Sequence, residues 1–145
     1  MRSRALVAVG AIAVVATLAA GYAFASADSS GVGKARAALL DGDRFSTGPK
    51  AGSTFADMSV WLLDDAKRCA RGSRRSAQDA RCRVRFSASA YASVSAFVVA
   101  GCPPAGVARA RATMLSYLDA VAAFDRRGVR AATLKGPELP KLPVC

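Results

Sequence analysis

Residues 82–102, CRVRFSASAYASVSAFVVAGC, constrain the fold of this chain more than any other stretch. The segment is mostly small and apolar, carries a cysteine at each end, and is stopped by Pro103-Pro104. Two periodicities compete in it. Cys82, Val84, Phe86, Ala88 and Ala90 alternate with Arg83, Arg85, Ser87 and Ser89, the pattern of a half-buried strand. Val84, Ala88, Tyr91, Ser95, Val98 and Cys102 instead follow helical spacing, and Phe86, Ala90, Val94 and Phe97 form a second apolar line beside them. Length decides between the two. Such a strand would far exceed the usual ~5–6 residues, and alanine is the best helix former. The stretch reads as a central helix whose Ala/Ser surface lets neighbouring helices approach closely.

Flanking segments supply partners for it. Thr54 with Asp57 reads as a capping pair, followed by a stripe of Phe55, Met58, Leu62, Ala66 and Cys69 that Gly72 ends. After Pro104 a third stripe runs through Val107, Ala110, Met114, Tyr117, Val121 and Phe124, with Gly128 as its stop. The expected fold is all-α: a small three-helix bundle, with helices at about 54–71, 80–101 and 105–127. Trp61, Phe55, Phe86, Tyr91, Phe97, Tyr117 and Phe124 are expected to pack inward. Asp64 and Arg68 have the spacing of a surface ion pair. Pro137, Pro140 and Pro143 recur every third residue, which favours an extended C-terminal tail.

The four cysteines admit three pairings. Cys82 and Cys102 stand at opposite ends of one helix, ~30 Å apart, far beyond the ~7 Å Cα limit of a disulfide. In an antiparallel hairpin Cys69 lies beside Cys82 and is equally remote from Cys102. The surviving pattern is Cys69–Cys82, clamping the hairpin, and Cys102–Cys145, tethering the tail. The spacing contains no CxxC and the chain no histidine, so no metal site and no cofactor is expected.

Compartment follows from the other end of the chain. MRSR precedes an apolar run over residues 5–25, and Ala25-Ser26-Ala27 has the small-x-small form of a signal-peptidase site. Residues 1–27 read as a signal peptide, or alternatively as an uncleaved membrane anchor. Residues 28–53, rich in glycine, serine and charge, read as a flexible linker with room for a helical turn or two over Lys34 to Leu40, ended by Asp41-Gly42, and residues 54–145 as the helical disulfide-bonded domain. Disulfides suit a secreted or otherwise extracytoplasmic protein. Beyond residue 27 the chain keeps 19 of its 21 Lys/Arg and all ten Asp/Glu, a formal charge of +9.

Catalytic chemistry finds little to work with. The lack of histidine removes the usual Ser-His and Cys-His nucleophiles. Asp64-Asp65 is the only adjacent acidic pair, and helical neighbours point in different directions. GVGK at 31–34 lacks the full phosphate-loop spacing. An enzyme is not expected.

One charge feature does suggest a function. Lys67, Arg68, Arg71, Arg74, Arg75, Arg81, Arg83 and Arg85 crowd around the first bend, opposed within it by Asp79 alone besides none other. Lys67, Arg68 and Arg71 complement the end of one helix, but Arg81, Arg83 and Arg85 stand at the positive end of the next. Arg71, Arg74, Arg75, Arg81, Arg83 and Arg85 are therefore the candidate anion-binding residues. Anionic lipid, an acidic wall polymer or an acidic protein would suit them. Nucleic acid is not expected, because no aromatics interleave with the cations. The expectation is an exported, non-catalytic helical domain that binds an anionic envelope component or an acidic protein through this cluster. The alternative is a membrane-anchored accessory domain acting through protein contacts.

Overall fold

A computed structural model describes residues 30–72, 80–126 and 135–145. The expected leader, residues 1–27, lies outside them. The described chain holds four helices and no strand: α1 (Gly31–Leu40), α2 (Gly48–Gly72), α3 (Ala80–Ala100) and α4 (Pro104–Arg126), with a 3-10 turn at Gly42–Phe45 between α1 and α2. The all-helical expectation holds. The count of three helices does not.

The additional helix comes from the stretch expected to be linker, where the turn or two expected over Lys34 to Leu40 is a ten-residue helix packed on the bundle. Ser30 caps α1 by accepting the Gly33 N–H at 2.9 Å. Asp65 of α2 accepts the Val32 N–H at 3.0 Å, so a carboxylate satisfies the positive end of α1 from a distant helix. Gly31 lies so close to α2 that a Cβ there would overlap the Trp61 carbonyl oxygen. Val32, Ala35, Ala38 and Leu39 are buried against α2 and α4. Tertiary packing orders a sequence whose own amphipathic signal is weak.

The start of α2 also differs from expectation. Thr47, whose hydroxyl accepts the Lys50 N–H at 3.3 Å, stands ahead of the first turn, and Thr54 is inside the helix. Thr54 donates back to the Lys50 carbonyl at 3.0 Å and lies 3.3 Å from that of Arg44. The added turns are useful because they are small. A Cβ on Gly52 would stand 2.8 Å from the Ala100 Cβ and 2.9 Å from the Ala96 carbonyl oxygen. Gly48 is equally close to the Ala100 and Cys102 carbonyls. Farther along the seam, Ser89 of α3 donates to the Ser59 carbonyl at 2.8 Å. α2 and α3 thus form a tight antiparallel pair along most of their length.

α1 and α4 cover one side of that pair. Phe55, Met58 and Leu62 of α2, Leu39 of α1, Val99 of α3, and Val107, Met114, Leu118 and Val121 of α4 are fully buried between them. Phe45 meets Phe55 edge-on at 6.2 Å. Arg111 of α4 donates to the Leu39 carbonyl at 2.5 Å and lies 5.1 Å over the Phe45 ring. It thereby closes the negative end of α1 with a cation.

Both expected disulfides are present. Cys69 and Cys82 are 5.5 Å apart at Cα, and Cys102 and Cys145 are 5.3 Å apart. Residues 135–145 are neither helix nor strand. They are fastened at three places: Gly136 against Val84 and Phe124, the Lys141 carbonyl under the Tyr91 hydroxyl at 3.1 Å, and the terminal bridge.

Candidate functional site

The bridged end of the α2–α3 pair collects the basic residues. Cys69 fixes the last turn of α2 against the first turn of α3, so Lys67, Arg68 and Arg71 stand near Arg81, Arg83 and Arg85. Arg74 and Arg75 lie outside the described residues. Arg71 and Arg83 are exposed, as are Lys67 and Arg68, while Arg81 is half-buried. Arg68 pairs with Asp65, three residues before it and also held by the Val32 N–H, at 3.1 Å and not with the exposed Asp64.

Arg85 has a different use. Its two terminal nitrogens meet both oxygens of Asp125 on α4, at 3.1 and 2.5 Å, and one of them also reaches the Arg81 carbonyl at 3.2 Å. Both side chains are largely covered, at 17% and 25% exposure. A planar guanidinium held at both ends by one carboxylate is a structural tie. Arg85 is thus internally committed, and the exposed basic surface is built by its neighbours.

Two aromatic residues expected in the core are outside it. Phe97 is 83% exposed and Phe86 is 42% exposed. Val94, at 47%, stands in the same line, and Val60 of α2, at 59%, lies across the seam. The physical reason is geometric. α3 has two apolar lines, and the packing of α4 and the tail covers only the line through Val84, Ala88, Tyr91, Ser95 and Val99.

A second feature lies where the tail crosses. Tyr91 and Tyr117 stand with ring centres 6.2 Å apart. A cleft of about 580 Å³ opens beside Tyr117, lined by Thr113, Ser116, Pro137, Glu138 and Pro140. Burial pushes the Tyr117 phenol up to about 12, with a further push from Tyr91. Burial also raises Tyr91, while Ser95, one turn on, works the other way without reaching hydrogen-bond geometry. These phenols remain protonated at neutral pH, so the pair supplies hydroxyl groups and ring faces, not a base.

No known protein family, curated protein or solved structure matches this chain. Asp125, Asp65 and Arg111 were not singled out by sequence pattern, since each acts on a residue far away in the chain. The exposed line of Phe86 and Phe97 was visible as a pattern, but nothing local told which of the two lines would be buried. Among the described residues no helix is long and apolar enough to cross a membrane, and no three His, Cys, Asp or Glu side chains are grouped to hold a metal ion.

Proposed function

We infer that this chain is an exported, non-catalytic helical domain that binds an anionic component of the cell envelope through the bridged end of α2 and α3. The observation that supports this reading is the gathering of Lys67, Arg68, Arg71, Arg81 and Arg83 around the Cys69–Cys82 bridge. Two disulfides are the chemistry of an oxidising, extracytoplasmic compartment. A covalent clamp also holds the cations near one another, which lowers the ordering cost of meeting a multiply charged partner. The formal charge of +9 beyond residue 27 adds long-range attraction of the same sign.

The test is co-sedimentation of the exported protein with anionic and neutral vesicles and with an acidic wall polymer. Binding should require the anionic partner and weaken steeply between low and physiological salt. Replacing Arg71, Arg74, Arg75, Arg81 and Arg83 by glutamine should weaken it further. Arg85 is left in place, because removing it would break the tie to Asp125. Binding that ignores both salt and these replacements would refute the reading. The mass of the native protein tells this reading from the anchored alternative, since an intact N-terminus in the membrane fraction favours an accessory domain.

A further inference from the structure

We propose that the exposed α2–α3 face is a docking surface for the interfacial region of an anionic lipid leaflet, with Phe97, Val94, Phe86 and Val60 entering the acyl boundary and the bridged basic end meeting the headgroups. This inference rests on the anion-binding reading above and chooses among its partners. Helical spacing puts Val60 and Leu63 on the flank of α2 beside the α3 seam and away from Asp65, whose carboxylate meets α1. The same spacing puts Phe86, Ala90 and Phe97 on the adjoining flank of α3, away from the buried Tyr91 and Val84. Phe86 to Phe97 covers ~16 Å of helix axis, and no described segment lies over it.

The charges continue the same face. Lys67 and Arg71 follow Val60 along α2, and Arg83 precedes Phe86 on α3 by one turn. Asp57 and Asp64 stand at the outer edge of α2 and are the exposed acidic groups on that helix. An apolar strip with cations at one end combines the two attractions that hold a protein surface to an anionic leaflet, buried apolar area and charge. It also discriminates between partners. A hydrophilic wall polymer offers nothing in which to bury a phenylalanine that is 83% exposed. A second copy of this chain would bring another strongly basic surface against the first.

The experiment reads the environment of position 97 in the full chain, because residues 5–25 would hold the chain to lipid by themselves. Trp61 is the only native tryptophan and is half-buried against the core, so the wild-type protein is the background for a Phe97→Trp variant. With anionic vesicles containing brominated acyl chains, the emission of Phe97→Trp should shift to the blue and be quenched, and wild type should show neither change. Neutral vesicles or high salt should reduce the effect. With the acidic polymer alone, position 97 should stay in water. In the exported form, Val94→Ser with Phe97→Ser should lower partition into anionic vesicles on the order of tenfold. Both positions are exposed, so folding should be intact by circular dichroism. If position 97 stays in water while salt-sensitive binding of the exported form persists, the lipid docking is wrong and the anion-binding reading stands, with an acidic polymer or acidic protein as the partner. If binding of the exported form ignores salt and charge sign, the anion-binding reading fails as well.

Discussion

Asp125 meets Arg85 with both oxygens, and this pair shows how a single residue can change the reading of a whole cluster. Asp125→Ala leaves a largely covered guanidinium without its counter-charge, and should cost about 2 kcal/mol in denaturant unfolding. Replacing Arg85 and Asp125 together by a well-packed apolar pair should recover part of that loss, which a double-mutant cycle would show. The cluster itself was legible from local crowding of arginines. The partner was not, because Asp125 lies on another helix, 40 residues along the chain. Tyr117 gives a second test at this scale. Its phenol is raised from 10.0 to about 12 by burial and then by Tyr91, so the folded state holds the proton more tightly than the unfolded chain. The stabilising contribution is intact below pH 10 and disappears as pH rises toward 12, at most roughly 1–2 kcal/mol. The stability of wild type relative to Tyr117→Phe should therefore fall across that window, followed by chemical unfolding at each pH.

At the scale of elements, α2 and α3 were readable as helices because their apolar spacing is regular, while α1 was readable only as a turn or two over Lys34 to Leu40 and the first turns of α2 were not readable. Glycine, alanine and serine gave those segments the composition of a linker. The structure uses the same small residues for close approach, with Gly31 on the Trp61 backbone and Gly48 and Gly52 on the end of α3. Helix propensity and packing then pull in opposite directions at Gly52. Alanine would gain up to about 1 kcal/mol of intrinsic helix stability, but its Cβ would stand within 2.9 Å of the Ala96 carbonyl, on a backbone that cannot easily move. Packing should win. Gly52→Ala is expected to destabilise by about 1–2 kcal/mol and Gly52→Val by more, as read from thermal unfolding. Gly72→Ala, with nothing within 4 Å, is the control and should be neutral or mildly stabilising. A stabilised Gly52→Ala variant would mean that the α2–α3 seam is looser than described.

For the molecule as a whole, the cysteine pairing was legible by elimination once α3 was read as a helix, since a helix keeps its two end cysteines apart. The tail's path was not legible: three prolines announce an extended segment, yet only the positions of Val84, Phe124 and Tyr91 decide which groove it follows. That path links the second disulfide to the tyrosine pair. The Cys102–Cys145 bridge closes a loop spanning 43 residues and the Cys69–Cys82 bridge one spanning 13, so loop entropy assigns them about 4 and about 3 kcal/mol. Replacing Cys102 and Cys145 by serine should thus lower stability more than replacing Cys69 and Cys82, with helical circular dichroism retained below the transition. It should also free the tail from Tyr91, whose hydroxyl donates to the Lys141 carbonyl. Burial is the main cause of both raised phenols, so tyrosinate absorbance should then develop at lower pH than in wild type. The Cys69→Ser, Cys82→Ser variant, which leaves the tail fastened, should keep the alkaline titration of wild type. Unchanged titration in the tail-released protein would show that the helices shield the tyrosines without the tail, and the tail would then be a tether with no part in the core.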